Sequence, residues 1–518
     1  MRQVVSRAEW GAAGASTLLL IFAFPNFELY PLAWIALVPL LIVIARNPCP
    51  VPAFIYGWAT GTVFYYATCH WLTYSMIHYG GVPTPLAYLL LLPAAAVVGI
   101  FHGFFASLVA VAIRKWGLMA ILLAPVFWAA LEWVRLGVTG QLWNALGYSQ
   151  AFHALFIQAA HWGGVYVISF MIVAINSILA LLIIKRSRWT IAASVAITLA
   201  VALVIFEAAA NWTIVDYISS PEDDVRVVAV QPNVPMTLVK TVEEMTALRE
   251  RHLQLSTSAL NSLGDHPGPR LVIWPESPMN FTYASDRSFQ ELVANFTRQN
   301  RASLLFNSLE PAPANGAYNS ALLVNEQGRM ISQYDKIRLM PFGEYVPLPQ
   351  WLPGASLITG LVGEFTPGTN YTLMPFGARR HAGVFICIEA AYPWVTRRLT
   401  DEGANVLINI SNDGYLGPTA VMRQHLANAI FRAVENGRPV LRVTNTGLTA
   451  YIGARGSVED LTRPFEADVR IWSADRSDSR DTFYTDHGDV FVQVCTGLAL
   501  AIFIAILFSS RRNLGNLR

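Results

Sequence analysis

Residues 381–411 read HAGVFICIEAAYPWVTRRLTDEGANVLINIS. This stretch contains a short apolar run (HAGVFIC), an amphipathic run with helical spacing (YPWVTRRLTDEG) and a second apolar run (NVLINIS). A strand pattern, a helix pattern and a further strand pattern in succession predict an α/β layered domain. The last run is apolar almost throughout, which is typical of a strand covered on both faces.

The same alternation continues on both sides of this stretch. Helical patterns occupy residues 242–260, 289–300 and 424–437. The remaining predicted strands are VRVVAVQ (225–231), LVIWPES (271–277), ASLLFNSLE (302–310) and PVLRVTNTG (439–447). Residues 311–380 have the character of a longer irregular stretch.

Charged residues are distributed unevenly along the chain. Of its 518 residues 54% are hydrophobic and only 14% are charged, whereas soluble domains are about one quarter charged. The first 215 residues hold nine Lys or Arg and four Asp or Glu, and residues 216–489 carry a net charge of −6. We therefore expect a membrane domain followed by an acidic aqueous domain. The aqueous domain lacks the excess of positive charge that nucleic-acid binding requires.

Eight apolar stretches have the length and composition of transmembrane helices. They cover residues 10–24, 30–45, 54–77, 86–113, 118–136, 165–184, 191–210 and 490–508. Seven precede the aqueous domain and one follows it. The sequence thus predicts a transmembrane domain over residues 1–215, an aqueous domain over 216–489, and a final transmembrane helix with a cytoplasmic tail over 490–518.

Basic residues in the loops predict the orientation of this chain in the membrane. Eleven of them fall on one side of the eight-span arrangement: Arg2, Arg7, Arg46, Arg114, Lys115, Lys185, Arg186, Arg188, Arg511, Arg512 and Arg518. The short loops on the other side contain only Arg135. By the positive-inside rule, both termini are predicted in the cytoplasm of a bacterium and the aqueous domain in its periplasm.

The aqueous domain contains a single cysteine, Cys387. A lone cysteine in an oxidising compartment has no disulfide partner, and this one stands where a strand ends and the chain turns towards a helix. Such a turn can present a nucleophile, although a buried, inert thiol is the alternative. Histidines show no recognisable pattern with the cysteine, and no HxxxH, HExxH or CxxC spacing indicates a metal site.

Two charged residues are candidates to assist a thiol nucleophile. Glu276 ends the predicted strand LVIWPES, at the kind of sheet edge where α/β sites assemble. Lys336 lies in the segment QYDKIRLMPFGEYVP, residues 333–347. Taken singly, each has an ordinary alternative: a solvated loop glutamate and a surface lysine.

The order of the motifs is more specific than any one of them. WPES (274–277), YDKxxLxPFGExVP (334–347), CxE (387–389), ISND (410–413) and RAxENxRP (432–439) follow one another along the chain. This order resembles the nitrilase superfamily. Together with the membrane spans and with LGYSQ at residues 146–150, it makes the whole chain similar to the apolipoprotein N-acyltransferases, a membrane-embedded family of that superfamily.

The resemblance implies an α-helical membrane bundle joined to an α-β-β-α sandwich. It also implies that Glu276 is the general base, Lys336 the oxyanion stabiliser and Cys387 the nucleophile, with Glu344 and Glu389 supporting them. The implied reaction moves an acyl chain from a phospholipid, by way of a thioester, to the N-terminal diacylglyceryl-cysteine of an apolipoprotein. We expect no cofactor and no metal, and we expect the protein to be a monomer.

Three positions depart from the pattern that this family commonly shows. Ile388 stands where the family has Tyr, and Lys240 stands where it has an aromatic residue. Residues 412–417 read NDGYLG in place of NDAWFG. The residues that match the catalytic glutamate, lysine and cysteine are unchanged.

Two further features have more than one interpretation. Glu132 and Arg135 are three residues apart on a predicted membrane helix and can pair; a structural pair, a headgroup anchor and a functional charge are all open. Residues 351–365 read WLPGASLITGLVGEF, in which Leu357, Ile358 and Leu361 stand among glycines. This apolar segment either packs into the core of its own domain or forms a lid that dips into the membrane.

Two other functions are compatible with parts of this sequence. A membrane-tethered amidase or nitrilase would share the catalytic trio, and a non-catalytic receptor would bind lipid or lipoprotein without using it. Eight spans exceed what a tether needs, and a receptor needs no glutamate, lysine and cysteine together. Acyl transfer is therefore the favoured interpretation.

Overall fold

The computed structural model describes residues 6–210, 224–237, 240–264, 266–276, 278–313, 316–341, 343–345, 365–474 and 481–515. Contacts between Cα atoms divide the chain into two compact units. The helical unit comprises Met1–Thr213, Thr419–Ala427 and His487–Arg518, and the sheet unit comprises Ile214–Pro418 and Asn428–Asp486.

The helical unit is built from α-helices of very different lengths. They are α1 (Arg7–Ala23), α2 (Val38–Arg46), α3 (Pro50–Thr68), α4 (Leu72–His78), α5 (Thr84–Trp116), α6 (Ala124–Thr139), α7 (Ala154–Ile157), α8 (Ala160–Gly163), α9 (Val165–Ile184), α10 (Arg188–Ala210) and a C-terminal helix (Val490–Gly515). Short 3₁₀ turns lie at Tyr30–Trp34, Leu118–Leu123 and Leu146–Gln150.

Five helical segments among the described residues are long and apolar enough to cross a membrane. They are Thr84–Trp116, Leu118–Thr139, Val165–Ile184, Arg188–Ala208 and Val490–Phe508, and they coincide with the last five of the eight predicted spans. The first three predicted spans correspond to shorter or less apolar helices, α1 to α4. The predicted helical membrane bundle is confirmed, with this difference in the lengths of its first helices.

The third predicted span, residues 54–77, is divided between α3 and α4. Helix α3 ends at Thr68, whose carbonyl oxygen accepts a hydrogen bond from the side-chain amide of Gln424 at 2.9 Å. The N–H of Leu72, which would bond to that oxygen in a continuous helix, donates to Cys69 O at 3.1 Å. A side chain distant in sequence thus replaces the helical hydrogen bond at the break.

Helices α3 and α5 meet along a glycine seam. Its members are Gly57, Gly61, Gly99 and Gly103, all of them buried. A Cβ atom on Gly57 would lie 2.3 Å from the carbonyl oxygen of His102, and one on Gly99 would lie 2.5 Å from Thr62 Oγ1. Close helix contact through small residues is the usual way for helices to associate in lipid.

The sheet unit contains two six-stranded sheets, ordered β12-β1-β2-β3-β4-β5 and β11-β10-β9-β8-β7-β6. The strands are β1 (Arg226–Gln231), β2 (Arg270–Ile273), β3 (Ser303–Pro311), β4 (Ala317–Val324), β5 (Met330–Asp335), β6 (Leu373–Phe376), β7 (Arg380–Ile386), β8 (Val406–Ser411), β9 (Val440–Thr444), β10 (Ala450–Ile452), β11 (Val458–Glu459) and β12 (Asp468–Ser473). Three of these, β4 to β6, lie where the sequence pattern indicates an irregular stretch, so that expectation was wrong.

Helices pack against strands of both sheets: α11 (Val242–Ser262) contacts β1 and β12, α12 (Arg287–Asn300) contacts β3 and β4, and α13 (Pro393–Asp401) contacts β7. The chain also forms α14 (Val421–Asn436) and α15 (Phe483–His487). Leu260 of α11 and Val293 of α12 share one apolar core with Val272 of β2. On the inner faces, Thr444 of β9 donates to Gln231 of β1 at 3.3 Å. The predicted α-β-β-α order is confirmed.

Parallel strands at the middle of each sheet define where chemistry can take place. Strands β1, β2 and β3 are parallel, as are β7, β8 and β9. Parallel strands end at a common edge, where α/β proteins place their sites. Glu276 follows β2 and Cys387 follows β7, so the fold carries two of the predicted catalytic residues to strand ends.

Candidate active site

Lys336 follows directly on β5 and is almost completely buried. Its Nζ atom lies 2.9 Å from Glu344 Oε1 and 3.3 Å from Glu276 Oε1. Burial by itself lowers the pKa of Lys336, but the two carboxylates outweigh burial and hold the pKa well above its ordinary value. The lysine is therefore a permanent cation at neutral pH.

Glu276 sits in the turn after β2. The strand ends at Ile273, earlier than the predicted segment, because Pro275 has no N–H to donate to a ladder. Glu276 Oε1 accepts hydrogen bonds from Lys336 and, at 2.9 Å, from Asn319 Nδ2. Among the described residues no donor bonds to Oε2, so this oxygen is available to accept a proton.

Glu344 is held more completely than Glu276. Its Oε2 accepts the backbone N–H of Met340 at 2.7 Å, and its Oε1 accepts Asn319 Nδ2 at 2.7 Å as well as Lys336 Nζ. Both oxygens are thus occupied by donors. This carboxylate is suited to fixing the lysine rather than to exchanging a proton.

Asn319 bridges the two carboxylates, and no sequence motif indicated it. Its amide nitrogen contacts both Glu276 and Glu344, and its Oδ1 accepts a hydrogen bond from Asn307 Nδ2 at 2.7 Å. It lies on β4, inside the stretch that the sequence pattern left without structure. No signal in the sequence indicated it, because its burial and its carboxylate partners are seen only in the fold.

Cys387 is the first residue after β7 and opens a 3₁₀ turn, Cys387–Ala391. Its φ is +50°, in the left-handed region that non-glycine residues seldom adopt and that is often found at functional sites. Burial raises the pKa of its thiol, as do the charges of Glu276, Asp413 and Glu344, while Lys336 opposes them. The resting group is therefore a protonated thiol, and it lies within electrostatic reach of Glu276 and Lys336.

Glu389 connects the turn that begins at Cys387 with the loop that begins at Lys336. Its fully buried carboxylate accepts the backbone N–H groups of Ile386 (2.6 Å), Ile337 (2.7 Å) and Arg338 (3.0 Å), as well as the hydroxyl of Tyr334 (2.9 Å). These bonds join the residue before Cys387 to the two residues after Lys336. Burial raises the pKa of Glu389 to about 7, against the opposing effect of its backbone donors.

Asp413 is a buried charge near the thiol that the sequence reasoning assigned to no role. Its carboxylate pairs with the fully buried Arg442 at 2.8 Å and accepts from Ser411 Oγ at 3.2 Å. It belongs to the NDGYLG segment that departs from the family pattern. In the same segment, Tyr415 is 41% exposed.

The other two departures from the family pattern are Ile388 and Lys240. Ile388 is buried immediately after the cysteine. Lys240 is half-buried and donates from Nζ to the carbonyl oxygen of Thr237 at 2.8 Å. The proposed lid residues Leu357, Ile358 and Leu361 lie outside the described residues.

Glu132 and Arg135 are both buried in the helical unit, but each bonds to other groups. Glu132 Oε1 accepts Trp128 Nε1 at 2.9 Å and the N–H of Leu146 at 2.8 Å, and Arg135 Nη1 donates to Trp143 O at 2.8 Å. Among the residues that the structure describes, Glu132 Oε2 and Arg135 Nη2 have no hydrogen-bond partner, and both residues line a cavity of about 20 Å³. A cavity of this size holds a water molecule.

No cluster of three His, Cys, Asp or Glu side chains suited to a metal ion occurs in the parts of the chain that the structure describes. The charged groups that act on Cys387 are the carboxylates of Glu276, Glu344 and Asp413 and the ammonium group of Lys336. Such an arrangement can activate a thiol and stabilise an oxyanion.

Comparison with known families defines the class of this protein. Residues 226–484 match the carbon-nitrogen hydrolase family model, so the sheet unit is a carbon-nitrogen hydrolase domain. Residues 16–178 match the model of the apolipoprotein N-acyltransferase N-terminal domain.

Curated relatives match nearly the whole chain. The apolipoprotein N-acyltransferase of Geobacter metallireducens is 30% identical over 516 residues, covering 97% of this chain and 96% of the relative. That of Chlorobaculum tepidum is 29% identical over 532 residues, covering 95% of each. This chain belongs to the apolipoprotein N-acyltransferase family. The predicted family and the predicted enzyme class, an acyltransferase, are confirmed, and the chain is a membrane protein.

Solved structures of smaller proteins resemble part of the chain. A mutant of the Nesterenkonia AN1 amidase from the nitrilase superfamily has 16% identity and a TM-score of 0.37, covering 50% of this chain and 94% of the amidase. The nitrilase-superfamily protein Nit3 from Saccharomyces cerevisiae has 18% identity and a TM-score of 0.38, covering 50% and 93%.

Proposed function

We propose that this protein transfers an acyl chain from a phospholipid to the α-amino group of the N-terminal diacylglyceryl-cysteine of an apolipoprotein, through a thioester on Cys387. The observation that carries the proposal is the contact of Lys336 with Glu276 and Glu344 beside a thiol at a strand end. Membership of the family supports the reaction, and the donor is proposed to be the sn-1 ester of phosphatidylethanolamine.

In the first half-reaction, the sulfur of Cys387 attacks the ester carbonyl while its proton passes to the open Oε2 of Glu276. Lys336 stabilises the negative oxygen of the tetrahedral intermediate. The C–O bond to the glycerol then breaks, and Glu276 returns the proton to the departing oxygen. The products are the thioester and a lysophospholipid.

In the second half-reaction, the amine of the apolipoprotein attacks the thioester carbonyl. Glu276 accepts a proton from the attacking nitrogen, and Lys336 again faces the oxyanion. The C–S bond breaks, and the sulfur takes the proton to regenerate the thiol. The amide product carries the third acyl chain.

The contacts of Glu344 and Glu389 support the roles proposed for these two residues. Glu344 fixes Lys336 through a 2.9 Å contact, and Glu389 orients the turns that carry Lys336 and Cys387.

We also propose that the transmembrane domain covers residues 1–215, the catalytic domain residues 216–489, and the final transmembrane helix with its tail residues 490–518. The protein is a monomer in the inner membrane, with cytoplasmic termini and a periplasmic catalytic domain. The lid at residues 351–365 stays a prediction.

Intact-mass measurement after incubation with phosphatidylethanolamine tests this function. The unaltered protein should gain the mass of one acyl group, and Cys387→Ala should fold normally but gain none. A strain that depends on Cys387→Ala should accumulate diacylated apolipoprotein. Normal triacylation by this variant would contradict the mechanism.

A further inference from the structure

Arg338 is an exposed residue on a fixed piece of backbone beside the proposed active site. It stands two positions after Lys336, and its N–H donates to Glu389 Oε1 at 3.0 Å. Glu389 also holds the residue before Cys387. The backbone of Arg338 is thereby positioned relative to both the lysine and the nucleophile.

The side chain of Arg338 rests on an aromatic shelf made of Tyr392 and Trp394. The guanidinium carbon lies 5.0 Å from the centre of the Trp394 ring and 5.9 Å from that of Tyr392. The charges of both Arg338 and Lys336 act on the Tyr392 hydroxyl, whose pKa burial raises to about 12. The shelf thus lies within electrostatic reach of both cations.

Among the described residues, Arg338 has no carboxylate partner. Arg398, a nearby exposed arginine on α13, differs in this respect because it pairs with Asp401 at 3.2 Å and Glu402 at 2.7 Å. Lys336 is likewise neutralised by two carboxylates. An anion that approaches the site therefore meets Arg338 as a cation whose charge is not already compensated by an ion pair.

We propose that Arg338 binds the phosphate group of the phospholipid acyl donor and so selects phosphate-containing lipids. This inference rests on the proposed function. A guanidinium suits the purpose because its fork of N–H groups matches two phosphate oxygens while its face stacks on aromatic rings.

The test compares two acyl donors on the full-length protein in detergent, with acylation of Cys387 followed by intact mass. One donor is phosphatidylethanolamine, and the other is the p-nitrophenyl ester of the same fatty acid, which has no phosphate. Arg338→Gln should lower kcat/KM for the phospholipid by about tenfold or more and leave the aryl ester unchanged. Arg338→Lys should recover part of the phospholipid rate, and the matched variant Arg398→Gln should behave as the unaltered protein.

Four outcomes would overturn the inference. An equal loss with both donors would show that the arginine only packs the shelf, and an unchanged phospholipid rate would show no role. A defect confined to transfer onto the apolipoprotein would assign Arg338 to the acceptor instead. Inorganic phosphate that suppresses acylation by the aryl ester in an Arg338-dependent way would indicate a site for free phosphate. If the unaltered protein forms an adduct with the aryl ester but none with the phospholipid, the proposed function itself fails.

Discussion

Glu276 and Glu344 both contact Lys336, but they differ in what else binds their oxygens. Glu344 accepts donors on both oxygens, whereas Glu276 receives Lys336 and Asn319 on the same oxygen. A carboxylate with an unoccupied oxygen can take up a proton without first breaking a hydrogen bond. On this ground we propose that Glu276 is the base and Glu344 its support, although both residues are glutamates.

Substitution of the proposed base, Glu276, and of the proposed oxyanion stabiliser, Lys336, should change the pH dependence of adduct formation in different ways. Lys336→Met should slow both half-reactions by about 10²- to 10³-fold at every pH, the usual cost of one oxyanion donor. Glu276→Gln should chiefly prevent thiolate formation, because burial and neighbouring carboxylates raise the pKa of Cys387. Higher pH should then partly restore acylation only in Glu276→Gln. Identical profiles, measured as the rate of adduct formation, would contradict the assignment.

Glu389 should make stability depend on pH. Its pKa is raised from 4.5 to about 7, so the folded protein binds this proton more tightly than the unfolded chain does. The free energy of unfolding should therefore fall as pH rises from about 4.5 to 7, by on the order of 3 kcal/mol. Glu389→Gln should lack this dependence. We expect the difference in melting temperature between the unaltered protein and the variant to change between pH 5 and pH 8; a constant difference would exclude the effect.

The sequence was sufficient to propose the charged residues but not their partners. Glu276, Lys336 and Cys387 stand in motifs whose order along the chain can be read directly. Asn319 could not be found in this way, because its importance depends on two carboxylates that are distant in sequence. Only the register of the strands brings its amide between them.

At the scale of elements, strand β4 carries the Asn319 amide that contacts both carboxylates, and β4 lies between β3 and β5. Asn307 on β3 pairs in register with Ala321 on β4, and Asn319 on β4 precedes Lys336 by one hairpin. The Lys336 N–H also donates to Asn319 O at 2.8 Å. The antiparallel pairing of β4 with β5 therefore fixes the backbone of Lys336 directly, while the Asn319 amide holds the two carboxylates that contact the lysine side chain.

Removal of the Asn319 amide should disturb the site more than it disturbs the fold. Asn319→Ala should slow adduct formation by roughly 10- to 100-fold, as with partners that orient metal ligands, and lower the free energy of unfolding by about 1–3 kcal/mol. Asn307→Ala is the matched control, since Asn307 donates to Asn319 Oδ1 and to the carbonyl oxygen of Ser320. Its effect on rate should be smaller. Equal rate losses for both variants would show that only strand stability matters.

Strands β4, β5 and β6 were missed for a physical reason. Strand β4 reads AYNSALLV, so its first half is polar and its second half apolar, and no alternation with a period of two extends over its length. In its polar half Asn319 and Ser320 are buried, and their side chains bond to the carboxylates of Glu344 and Asp335. Patterns that assume polar residues outside cannot detect a strand that faces a polar site.

At the scale of the whole molecule, the segment Thr419–Ala427 groups with the helical unit although it begins a helix of the aqueous part of the sequence. Gln424 is central to this segment. Its Oε1 accepts Trp71 Nε1 at 3.0 Å and Trp143 Nε1 at 2.7 Å, and its Nε2 donates to Thr68 O at 2.9 Å and to Pro25 O at 3.3 Å. Charge and hydropathy cannot assign such a short polar segment to a membrane unit.

Gln424→Leu should destabilise the protein strongly. Two indole N–H groups and two carbonyl oxygens would lose a buried partner, and each such loss costs about 1–3 kcal/mol. We expect a loss of roughly 3 kcal/mol or more, visible as a lower melting temperature of the full-length protein. Met422→Leu, a change of similar volume at a buried position of the same segment, should leave the melting temperature nearly unchanged. Similar values for the two variants would contradict the role of Gln424.

The glycine seam between α3 and α5 bears on how mutational scans of this protein should be interpreted. At Gly57 even a methyl group would meet a backbone carbonyl at 2.3 Å, which no side-chain rearrangement can relieve. In a library of single substitutions, Gly57 and Gly99 should be depleted as severely as Cys387, the proposed nucleophile. An intolerance score alone would place a second functional centre on these helices. Pairing the scan with a measure of protein abundance should separate the two groups, because variants of the seam should be lost from the membrane whereas variants of Cys387 should accumulate there without activity.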